Sequence, residues 1–138
     1  MSKMIIPKEV KDVLEEDNLA WVGTCSNGVP NVNIVYFFKL IEDDKILLAD
    51  NYFNKTRKNI ERNPNVAITV KSSEGSIAYE LKGSAEIYTE GEIFEEMEEW
   101  VLSENEDMPT KAAVVVNIED IYDSSPGESA GEKISTRS

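Results

Sequence analysis

Polar and apolar positions alternate most cleanly past the middle of the chain. Ile77, Tyr79, Leu81, Gly83, Ala85 and Ile87 interleave with Glu80, Lys82, Ser84 and Glu86. A period of two over this length predicts an antiparallel strand with one face in a core and the other in water. Gly83, at its centre, marks a bulge or a close approach by other backbone. Two stretches carry the helical period instead. Val10, Val13 and Leu14 stripe a helix over Pro7–Asp17, with Pro7 at its first position and Asn18 ending it. Ile93, Phe94, Met97, Trp100 and Val101 stripe a longer helix over Gly91–Glu104. Its other side carries Glu92, Glu95, Glu96, Glu98 and Glu99, which reads as a solvated face rather than a metal site.

The remaining apolar runs are short and rich in β-formers. Leu19–Cys25 is a strand, and Asn27-Gly28 after it is the pair that favours a tight hairpin. The return strand, Val32–Ile41, is apolar on both faces apart from Asn33 and Lys39, the pattern of a strand buried on both sides. Asn33 then becomes a buried amide that must find partners in the backbone or in a ligand. Lys45–Ala49, Val66–Val70 and Lys111–Tyr122 complete the strands. The order is helix, three strands, short helix, two strands, long helix, strand. Six strands, mostly joined by tight turns, with helices between runs, predict a mainly β (α+β) antiparallel barrel with flanking helices. One domain over residues 1–123 is expected, followed by a small, polar, turn-rich tail at 124–138.

Composition narrows the chemistry. The 138 residues carry a formal charge of −13, which argues against nucleic-acid binding because a phosphate backbone needs a basic stripe. No apolar run reaches the ~18–20 residues of a membrane span. The charged, short N-terminus does not read as a signal peptide, so a cytoplasmic location is expected. Cys25 is the one cysteine and stands in an apolar run, where a thiol usually behaves as a small hydrophobe. Histidine is absent, which removes Ser-His and Cys-His catalysis, most zinc sites and the usual neutral-pH base.

Against that acidic background one segment stands apart. Lys55, Arg57, Lys58 and Arg62 fall within a short helix opened by Asn54-Lys55-Thr56 and ended by Asn63-Pro64. Two readings stand. The helix carries a solvated basic face, or its N-terminus, following the Lys45–Ala49 strand and a polar turn, seats a phosphate.

Three motifs in their order, Gly-Val-Pro-Asn-Val-Asn at the second strand, Asn-Lys-Thr-Arg-Lys-Asn-Ile after the third and Leu-Lys-Gly-Ser-Ala-Glu-Ile in the fifth, resemble the FMN-binding split-barrel family related to pyridoxamine 5′-phosphate oxidase. The resemblance covers about residues 8 to 122. It implies a six-stranded antiparallel split barrel that is homodimeric, with flavin at the subunit interface. By the same resemblance Lys55 and Thr56 hold the flavin phosphate, and Arg57 and Lys58 are secondary partners. Asn33, Ile34 and Val35 lie along the isoalloxazine ring, and Ala49, Asp50 and Asn51 meet ring or ribityl. Asp50 must then turn away from the bound dianion. The Pro126–Gly131 stretch resembles a segment that reaches over the partner's flavin.

The same resemblance implies a redox role, an oxidoreductase with an unknown redox partner or small-molecule substrate. Pyridoxamine phosphate oxidation itself is not expected, because the family's C-terminal arginine–histidine pair is missing here. Three alternatives stay open: a deazaflavin (F420) reductase of the same fold, an electron carrier or flavin store without substrate, and a flavin-free dimeric interaction module.

Overall fold

The computed structural model describes residues 5–16 and 19–134. The expected end of the first helix at Asp17 and Asn18, and the last four residues of the tail, lie outside them. Helix α1 (Lys8–Glu15) leads into β1 (Ala20–Ser26), β2 (Val29–Val35), β3 (Phe38–Glu42) and β4 (Lys45–Asp50). Helix α2 (Lys55–Arg62), strands β5 (Asn65–Lys71) and β6 (Ala78–Tyr88), helix α3 (Glu92–Glu104) and strand β7 (Ala112–Asp123) follow. One antiparallel sheet runs in the order β2-β1-β5-β6-β7-β4-β3. It wraps into a split barrel whose edges, β2 and β3, are consecutive in the chain.

The strand count is seven rather than six, because the expected Val32–Ile41 strand is two. The chain leaves one edge of the sheet at Val35 and joins the other at Phe38, so Tyr36 and Phe37 bridge the split. Burial on both faces is also corrected. Val32 is 67% exposed and Ile34 43%, both on the outer face of the edge strand β2, and Tyr36 just beyond it is 69% exposed. Apolar alternation cannot tell a face covered by this chain from one that meets something else.

Two apolar clusters hold the barrel. Inside it, Val22, Ile46, Leu48, Ile68, Leu81, Val114 and Ile121 meet Val10, Val13 and Leu14 of α1. Outside it, Met97 and Val101 of α3 cover Leu47, Ala49, Ala113 and Val115. β4 and β7 are therefore buried on both faces, one by the barrel interior and the other by α3. The glutamate side of α3 faces outward as expected.

The turn Asn27-Gly28 takes φ of 53° and 78°, the left-handed pair that lets a two-residue loop follow the strand twist. At Gly83 the register with β7 slips, from Lys82↔Asp120 to Gly83↔Ile118, so β7 carries the extra residue of a bulge. A Cβ at position 83 would stand 2.0 Å from the Asn117 carbonyl oxygen. Glycine is needed there because backbone occupies the side-chain volume.

The tail folds back on the end of β7. Asp123 accepts from the Ser125 N–H at 2.8 Å and from the Ser129 hydroxyl at 2.7 Å, and Lys133 bridges to Tyr122. Those hydrogen bonds, the Ser129 hydroxyl first, hold the Asp123 carboxyl below its ordinary range.

Candidate functional site

β2 and the turn from β4 into α2 form a cavity of about 800 Å³. Asn33, Ile34 and Val35 supply one part of its lining, and Ala49, Asn51, Tyr52 and Phe53 another. Val32, Tyr36, Phe37, Asn105 and Met108 complete it. Every lining side chain is uncharged: three carry amides, two are tyrosines with a hydroxyl, one carries sulfur, and the others are aliphatic or phenyl. A volume of this order with few polar groups suits an aromatic ligand.

Asn33 is half-buried rather than buried. Its Nδ2 donates to the Ile34 carbonyl at 3.3 Å, because an edge strand leaves the amide beside open space.

Further along the same strand lies a second cavity of about 380 Å³, lined in part by Val29, Pro30 and Asn31 of β2 and by Lys55, Lys58 and Arg62 of α2. α2 begins here. Its N-cap, Asn54, sits at φ 48° and makes no side-chain cap, and no acid stands in the first turn. The first-turn amides are therefore not capped by the Asn54 side chain, and three cations flank the cavity. That is a setting in which an anion is stabilised.

Asp50, Thr56 and Arg57 are engaged by contacts within the protein. Asp50 is 1% exposed; its Oδ1 accepts the Phe53 N–H at 3.1 Å and its Oδ2 meets Arg57 Nη1 at 3.0 Å. The acid is thus directed to Arg57, whose Nε also reaches Glu61 at 3.3 Å. Thr56 is fully buried, and its Oγ1 accepts from Asn31 Nδ2 at 3.1 Å, pinning α2 to β2. Asn59 Nδ2 pins the helix to β1 through Thr24 Oγ1 at 3.0 Å.

The structure therefore gathers Asn33, Ile34, Val35, Ala49 and Asn51 in one cavity and sets Lys55 at the other, while Asp50, Thr56 and Arg57 form the joint between them. Tyr36 and Phe37 stand inside an unbroken apolar run, so the sequence marks them as strand interior rather than as lining. Tyr52 and Phe53 adjoin Asn51 in sequence, a signal that was available. Asn105 and Met108 arrive from more than fifty residues away and carry no local signal. Cys25 is half-buried and pairs with Pro30 across the hairpin.

The fold is an antiparallel split barrel that carries an uncharged, partly aromatic cavity and, along the same edge strand, a cationic one at the start of α2. Residues 6–125 match the model of the pyridoxamine 5′-phosphate oxidase family, and the chain belongs to that family. An uncharacterized protein of Methanocaldococcus jannaschii, MJ0282, is 39% identical over 122 residues, which cover 86% of this chain and 81% of the relative. Among solved structures, HupZ of Group A Streptococcus is 31% identical with a TM-score of 0.79, covering 92% of this chain and all of that one (100%). Two more distant structures share the fold. An FMN-binding protein of Syntrophomonas wolfei is 17% identical with a TM-score of 0.74, covering 86% of this chain and 85% of that one. An F420 reductase is 19% identical with a TM-score of 0.67, covering 84% and 98%. No helix among the described residues is long and apolar enough to cross a membrane.

Proposed function

We propose that the protein is a homodimeric flavoprotein that binds FMN without a covalent bond and serves as a redox protein. The observation that carries this reading is the pairing of two unlike cavities along one strand. An uncharged, partly aromatic cavity suits a planar ring, and the cationic cavity at the start of α2 suits a phosphate dianion. Both lie in a chain whose formal charge is −13. The fold shared with an FMN-binding protein supports it.

In this reading FMN supplies the electron or hydride chemistry, and the protein sets its position and surroundings. Asn33 offers an amide to the polar edge of the ring, while Ile34, Val35 and Tyr52 cover apolar surface. Lys55, the exposed cation at the first position of α2, meets the phosphate. Arg57 stays with Asp50 and holds the turn from which Asn51 projects. The exposed apolar face of β2, with Val32, Ile34 and Tyr36, is the surface on which a second copy would enclose the ring.

The test is the visible absorption of freshly purified protein, followed by titration of the apo-protein with FMN. Two oxidised-flavin bands, or saturable uptake of FMN, are the expected result. Failure to take up FMN overturns the reading. Uptake of F420 instead would assign the same cavities to a deazaflavin, a cofactor named for one protein of this fold.

A further inference from the structure

Two residues of the larger cavity, Asn105 and Met108, belong to neither β2 nor the β4–α2 turn. They come from the segment that joins α3 to β7. This segment carries its own bonds: Asn105 Oδ1 accepts the Asp107 N–H at 3.0 Å, and the Met108 N–H donates to the Asn105 carbonyl at 3.3 Å. Its far end is tied to the cavity lining. The Thr110 N–H donates to Asn51 Oδ1 at 3.0 Å, and the Lys111 N–H donates to the Asp50 carbonyl at 2.9 Å.

Asn51 and Thr110 are both buried, and Thr110 holds a φ of +40°. A β-branched residue takes that conformation only where its surroundings impose it. Met108 is half-buried, packing on the apolar cluster under α3 while also lining the cavity. Methionine is unbranched and polarizable, so it fits itself against an aromatic ring.

We propose that residues 105–110 form a wall closed over the bound ring, with Met108 the covering side chain and Asn51 the positioning residue that holds the wall in place. The inference rests on the FMN reading. It assigns Asn51 a second task besides lining the cavity: without its carboxamide oxygen, the strained Thr110 amide loses the acceptor that fixes the wall.

The experiment uses the full chain with and without FMN. It follows amide hydrogen exchange over residues 105–111 and quenching of bound-flavin fluorescence by acrylamide, an uncharged probe. FMN is expected to slow exchange across the segment. Met108→Ala is expected to raise acrylamide access several-fold. Asn51→Ala is expected to abolish protection of the Thr110 amide, and Asn51→Asp to restore it, since a carboxylate oxygen also accepts. Should Asn51→Ala fail to fold, the half-buried Met108→Ala variant and the wild-type exchange decide the matter. If FMN binds yet segment exchange is unchanged and Met108→Ala leaves acrylamide access at the wild-type value, the wall is wrong and the FMN reading survives. If wild-type protein takes up no FMN, the reading fails and the wall falls with it.

Discussion

Two basic residues separated only by Thr56 stand in opposite settings. Lys55 is exposed at the rim of the smaller cavity, whereas Arg57 is held by a carboxylate that is 1% exposed. Lys55→Ala is expected to weaken FMN about tenfold, ~1.4 kcal/mol, the low end for a bond to a charged group because Lys55 is screened by water. Its unfolding midpoint in urea should stay near wild type. Arg57→Ala should do the reverse. It strands the Asp50 carboxylate with the Phe53 N–H as its partner, and removing one member of a buried pair costs about 3 kcal/mol. Urea unfolding measures that loss, and FMN titration at a temperature where the variant is folded separates it from any direct effect on binding. A Lys55→Ala variant with wild-type FMN affinity would remove the phosphate from the start of α2.

At the scale of elements, the β6–β7 bulge and the break between β2 and β3 shape the barrel. Gly83 lets the Asn117 carbonyl pass where a side chain would stand, and β7 uses the freed residue to bend. Gly83→Ala forces backbone apart, and a loss of about 3 kcal/mol is expected in chemical denaturation, the upper part of the range for overpacking. A loss within error would mean that the two strands separate there at little cost. The bulge was legible in advance because a glycine in the middle of a strict alternation has few other uses. The break at Tyr36-Phe37 was not. No proline or glycine marks it, and its apolar residues continue the strand pattern without interruption.

At the scale of the whole molecule, an apolar row on β2 is left uncovered by the described residues. Val32 and Ile34 stand exposed on the outer face of an edge strand, and Tyr36, just beyond its end, continues the row. Rows of this kind mark interaction surfaces, and a second copy is the partner proposed here. Val32→Glu would put a charge into the proposed contact with a second copy, in a chain already at −13. The variant is expected to sediment as a monomer at concentrations where the wild type is a dimer, and to lose most FMN affinity with it. A wild-type chain that is itself monomeric across the micromolar range would reject the homodimer.

Element types followed from the sequence because they rest on local periods. The striping of α1 and α3, the alternation of β6, the Asn27-Gly28 hairpin and the stop at Asn63-Pro64 each depend on neighbouring residues alone. Absence of histidine likewise means that this chain supplies no imidazole. What only tertiary structure decided is which surfaces meet. The sheet order placed β2 and β3 at opposite edges, turned the outer face of β2 to the outside, paired Asp50 with Arg57, and carried Asn105 and Met108 to the wall of a cavity begun fifty residues earlier. Apolar character is a property of a residue, but burial is a property of its neighbours, and the neighbours here are chosen by long-range strand pairing that no local pattern records.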